Sequence, residues 1–221
     1  MALPIAQLKE NNVESRRASA GKRAFPLGEP GRPSRPGGDL RGEVRTIIDW
    51  LNVPISPRYS PDTATYCNIY AADFCYLAGV YLPRVWWTTQ ALKKLKLGAT
   101  VATVYGDTVA EMRADDLYAW LSEFGPSFGW SRVNDASSLQ TCANAGGIGI
   151  VCADRAAPGL PGHISVVVAE TEHVQAVRSP GGAVLVPVQS QAGARNFKES
   201  SGTGAWWADA RFQGYGFWTH G

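Results

Sequence analysis

The sequence predicts an α+β fold, with N-terminal helices packed on an antiparallel β-sheet, and three observations carry that prediction. Apolar residues recur at helical spacing early in the chain, whereas Val- and Ile-rich runs bounded by Gly or Pro gather later. Segregation of this kind favours a sheet covered on one side by helices over a parallel α/β sheet. Neither an internal repeat nor a phosphate-binding glycine loop interrupts the pattern. The 221 residues are 45% hydrophobic and include eight Trp, eight Tyr and seven Phe, ample for the core of one domain.

Taken in order, the chain opens on an arm. Residues 11 to 43 place Arg16, Arg17, Lys22, Arg23, Arg32, Arg35 and Arg41 among Pro26, Pro30, Pro33 and Pro36. That mixture buries too little apolar area to fold alone, so residues 1–41 are expected to be a flexible Arg/Pro/Gly-rich arm and residues 42–221 the folded domain. The domain begins with a helix through Val44, Ile47, Ile48 and Leu51, stopped by Pro54. A second helix is expected over 66–78, with Thr65 as N-cap and Gly79 at its C-terminal end. Cys67, Tyr70, Ala71, Phe74, Cys75 and Ala78 fall on one face of it. A further helix runs through Ala114 to Leu121, with Asp115 and Asp116 in its first turn and Gly125-Pro126 behind it, and another covers Ser137 to Ala145. Strands follow at 148–153, 163–170 and 183–189.

Composition narrows the chemistry. Net charge is +2, from 21 basic and 19 acidic residues, and no basic stripe with interleaved aromatics appears, so no nucleic-acid partner is expected. The N-terminus lacks a charged segment followed by an apolar run, and no apolar stretch is long enough to span a bilayer. The chain is therefore expected to be made in the cytoplasm without a signal peptide and without a membrane span. The four cysteines lack zinc-site spacing, and no metal or organic cofactor is expected. Cys67 and Cys75 stand about 12 Å apart along one helix, too far for a disulfide; whether Cys142 pairs with Cys152 is left open.

Cys67 is the candidate nucleophile. A thiol attacks as thiolate, and a place in the first turn of a helix lowers its pKa through unpaired N–H groups and the dipole. His163 is the candidate base, because Pro161-Gly162 delivers it into the rigid strand Ile164-Ser165-Val166-Val167-Val168. His173 lies in an expected turn and His220 near the C-terminus. A third group orients such an imidazole. If the strand from His163 pairs antiparallel with the one ending near residue 190, Gln189 and Gln191 are the candidates, ahead of Glu170 at the opposite strand end. The pairs Trp86-Trp87 and Trp206-Trp207 are read as core first and groove wall second, and Arg84 and Arg195 as isolated cations.

Four runs carry a family resemblance: Thr65-Tyr66-Cys67-Asn68-Ile69-Tyr70 with Asp73, Ala143-Asn144-Ala145-Gly146-Gly147, Pro161-Gly162-His163-Ile164, and Gln189-Ser190-Gln191-Ala192-Gly193. Over about residues 60 to 220 the chain resembles NlpC/P60-like, papain-fold cysteine hydrolases of peptidoglycan, in particular endolysins and type VI secretion antibacterial effectors. It departs from the family pattern with Tyr66 where Asp often precedes the cysteine and Asn68 where Ser is usual. The resemblance implies Cys67 as nucleophile, His163 as base, and a peptidoglycan stem-peptide or peptide–glycan amide as substrate. For a chain expected to lack an export signal, such a substrate implies delivery either by a phage lysis route or by a contact-dependent machine such as a type VI secretion system; the N-terminal arm favours the machine, with a carrier, a cognate immunity protein and action in the periplasm of a target bacterium as the matching expectations. Two other functions fit the same residues: a toxin that deamidates or cross-links a host protein, and a non-catalytic wall-binding module.

Overall fold

The computed structural model describes residues 3–8, 24, 25, 27, 33, 39–62 and 64–221. Among these residues the chain forms five α-helices and antiparallel sheets, an α+β fold. Helix α1 (Leu40–Leu51) follows the expected spacing and buries Val44, Ile47, Ile48 and Leu51. It starts slightly before residue 42, because the Asp39 side chain accepts from the Gly42 N–H and caps it. The expected arm falls largely outside the described residues. Residues 3–8 lie on the body as a strap: Ala6 and Leu8 are buried, the Trp87 indole donates to the Pro4 carbonyl at 2.8 Å, and Ala6 exchanges two 3.0 Å bonds with the Tyr81 hydroxyl.

Helix α2 (Cys67–Leu77) is buried on nearly every side. Its N-cap is Tyr66 rather than Thr65, and no side chain caps it, so the N–H groups of its first turn are left for other partners. Strand β1 (Val85–Trp87) and the unforeseen helix α3 (Thr89–Lys96, capped by Thr88) lead to β2 (Val109–Glu111), which pairs with β1 in a small ribbon. Helix α4 (Ala114–Glu123), β3 (Ser131–Val133) and α5 (Ala136–Asn144) follow.

The main sheet orders β3, β10 (Phe212–His220), β4 (Ile148–Arg155), β5 (His163–Val167), β8 (Gln189–Gln191) and β9 (Phe197–Ser200), all antiparallel. Helices cover both faces, not one. Ile148, Ile150 and Cys152 of β4 face the core shared with α2 and α4, whereas Val151 and Ala153 face Leu139 and Ala143 of α5 and Trp207. This explains why β4 reads as an unbroken apolar run rather than an alternating one.

The expected strand over 183–189 is two strands. β7 (Val184–Val186) pairs with β6 (Val177–Arg178) outside the main sheet, and β8 pairs with β5 in the register Val166 opposite Ser190 and Val167 opposite Gln189. Pro187 lies between them and has no N–H to continue a ladder.

Candidate active site

Cys67 is the first residue of α2, 5% exposed, against the start of β5. Two buried side chains in the middle of α2 anchor it, one to β8 and one to the loop that precedes the helix. Tyr70 is hydrogen-bonded to Ser190, and Asp73 is clamped by Arg58 (Nε–Oδ2 2.6 Å, Nη2–Oδ1 3.1 Å) and by the Tyr59 hydroxyl at 2.9 Å. Burial pushes the Asp73 carboxyl above the usual carboxylate range despite the Arg58 bonds. Asp73, part of the run that resembles the family, therefore holds the helix and does not touch the thiol.

His163 opens β5, half-buried, where Ala153 pairs with it across the ladder. Its Nε2 lies 2.7 Å from Gln191 Oε1. The Gln191 amide donates from Nε2 to the Arg195 carbonyl at 3.1 Å, which fixes its orientation and leaves Oε1, an acceptor, for the imidazole. Nε2 of His163 must then carry the proton, and Nδ1 is the nitrogen left for the Cys67 thiol. Gly193 closes the turn, with a hypothetical Cβ only 3.4 Å from the His163 ring. Asn196 fastens that turn by accepting from the Gly193 N–H at 2.9 Å and donating to the carbonyls of Val53 and Tyr59.

Burial opposes ionisation of Cys67, but the His163 charge and hydrogen bond, with the N–H groups of Ile164 and Asn68, outweigh it and hold the thiol below its ordinary pKa. Burial likewise opposes the His163 cation, and the Cys67 thiolate, by charge and by hydrogen bond, then Gln191, lifts the imidazole above its ordinary value. The two shifts favour a thiolate–imidazolium pair. Compared with protein-family models, curated proteins and solved structures, the chain matches none.

Of the two glutamines expected beside His163, Gln191 reaches it and Gln189 does not. Gln189 Oε1 accepts from Ser165 Oγ at 2.7 Å and from the Trp206 indole at 2.8 Å, and its Nε2 donates to Thr203 at 3.2 Å. Gln189 thereby positions Trp206, whose ring meets the His163 ring edge-on at a centroid distance of 4.6 Å. Trp206 is thus at the site, while Trp86, Trp87 and Trp207 are core. Sequence reading had no register from which to pick Trp206 out of the four.

Another residue without a sequence signal is Asp115. Its Oδ1 accepts from the Arg155 N–H at 3.0 Å, its carboxylate also takes the Gly162 N–H, and so it ties the two strand ends that flank His163. Gly162 is obligatory there, because a Cβ would stand 2.2 Å from the Ala153 carbonyl and 2.4 Å from Asp115 Oδ1.

The remaining candidates lie elsewhere. Glu170 binds Arg178, Asn144 Nδ2 and the Ala176 N–H, which hold its carboxyl at about 2, led by the Arg178 bond. His173 is exposed beside Glu172, and His220 sits 3.2 Å from the Phe128 carbonyl. Arg84 pairs with Glu111. None of the four cysteines forms a disulfide, so Cys142 and Cys152 are not joined. Cys75 is an inert core thiol, its pKa raised by burial. Among the described residues no three His, Cys, Asp or Glu side chains cluster as metal ligands, and no helix is long and apolar enough to cross a membrane.

Proposed function

We propose that this chain is a cysteine hydrolase that cleaves an amide of peptidoglycan, at the stem peptide or at its junction with the glycan. The observation that carries the proposal is the grouping of Cys67, His163 and Gln191: the imidazole bonds the thiol at a helix start, and its Nε2 is spent on Gln191, which leaves Nδ1 for the thiol. In this reading Nδ1 takes the thiol proton, and the thiolate attacks the amide carbonyl carbon. The Cys67 backbone N–H, which has no carbonyl acceptor within the helix, receives the oxyanion. Collapse of the tetrahedral intermediate expels the amine, which leaves with the imidazolium proton and a thioester behind it. Water, deprotonated at Nδ1, then releases the acid and restores the thiol.

The peptidoglycan substrate rests on the resemblance of the Cys67, His163 and Gln189–Gly193 runs to NlpC/P60-like hydrolases. The Arg/Pro/Gly-rich arm of residues 1–41, read as a docking segment, carries the proposal of delivery by a contact-dependent machine into the periplasm of a target bacterium, with an immunity protein guarding the producer and phage lysis as the other route.

The test is incubation of the protein and of Cys67→Ala with sacculi, followed by mass spectrometry of the soluble products. Release of stem peptides by the parent and a loss of at least about a thousandfold in the variant are expected. Equal release by both overturns the assignment. An alkylatable Cys67 that releases nothing redirects the search to protein substrates, where a deamidase would shift a glutamine by the mass of Gln to Glu.

A further inference from the structure

The aromatic wall beside His163 continues beyond Trp206. The Phe212 ring lies 5.7 Å from the Trp206 ring, and two guanidinium groups stack on Phe212, Arg155 at 5.6 Å and Arg211 at 5.7 Å. Both arginines come from strand ends: Arg155 closes β4 and Arg211 precedes β10. Since Ala153 pairs with His163, Arg155 stands two residues further along β4 on the same face, about 7 Å away along the strand. That distance matches about two residues of an extended peptide lying across the pair.

The carboxylates nearby are already committed. Asp209 is held by Arg211 at 2.9 Å, Asp154 by Gln213 Nε2 at 2.7 Å, and Asp115 by the N–H groups of Arg155 and Gly162. The Arg155 guanidinium has the Phe212 stack and the field of Asp209, but no hydrogen bond or ion pair of its own among the described residues. A planar fork braced on an aromatic ring, with its donors unspent, suits bidentate capture of a carboxylate.

We propose that Arg155, flanked by Arg211, forms a subsite for a substrate carboxylate close to the scissile amide, so that the chain selects peptides in which this carboxyl is free over those in which it is amidated. This inference rests on the hydrolase reading. The test uses two disaccharide-tetrapeptide dimers that differ only in whether the glutamate α-carboxyl is free or a carboxamide. The parent is expected to favour the free form by about tenfold or more in kcat/KM. Arg155→Gln brings the two substrates to a common rate through KM, and Arg155→Glu inverts the preference.

Equal rates in the parent, or a preference that survives Arg155→Gln, overturn the subsite and leave the hydrolase reading standing. Cleavage of neither dimer strikes the hydrolase reading instead, and the subsite is then judged by alkylation of Cys67. The ratio of iodoacetate to iodoacetamide rates should fall severalfold in Arg155→Gln, and an unchanged ratio overturns the proposal.

Discussion

Gln191 settles which nitrogen of His163 carries the proton, because an amide oxygen can only accept. An uncharged orienter of this kind supports the imidazolium more weakly than a carboxylate would, so the thiolate is the main partner that keeps it charged. The pH dependence follows from the two shifts. On the hydrolase proposal, activity should rise as Cys67 ionises below the ordinary thiol range and fall as His163 loses its proton above the ordinary imidazole range, giving a bell in kcat/KM whose limbs belong to the coupled pair. In Gln191→Ala the alkaline limb should move to lower pH and kcat should drop by roughly 10- to 100-fold; a pH–rate profile measured on both proteins checks the shift, and an unmoved limb would deny Gln191 its role.

At the scale of elements, α2 depends on its clamp. Arg58→Ala leaves Asp73 buried without its cation and should cost about 3–5 kcal/mol, whereas replacing both by apolar residues of similar volume should cost far less, as urea unfolding of the three proteins would reveal. The same elements mark what sequence can and cannot say. Cys67 at a helix start and His163 at a strand start were legible because Gly, Pro and apolar periodicity fix such boundaries locally. Choosing Gln191 over Gln189 was not, because it depends on the β5–β8 register, set by where Pro187 breaks the strand. Helix α3 went unread although Thr88 caps it. Strand β10 was missed because Gly214 and Gly216 interrupt its aromatic residues, while Gly216 is in fact required: a Cβ there would stand 2.4 Å from the Trp218 ring. Covered faces, such as the one α5 shields, leave no alternation to read.

Over the whole molecule, the strap of residues 3–8 ties the start of the chain to Tyr81 and Trp87. Deleting residues 1–8 should lower stability by roughly 2–4 kcal/mol through lost burial of Leu8 and lost hydrogen bonds, with the alkylation rate of Cys67 preserved in the cold. The opposite end of the chain has the deeper effect. Strand β10 lies inside the sheet, where Phe217 pairs with both Val133 and Val151. A ribosome that has translated only as far as residue 205 therefore holds a sheet in two unjoined pieces, with the nucleophile helix long since synthesised and the Trp206 that backs the imidazole still to come. Nascent chains stalled there should show the alkylation rate of an ordinary unfolded thiol; on the hydrolase proposal, the cell that makes this protein would then meet an activated cysteine only after β10 has joined β3 to the rest of the sheet.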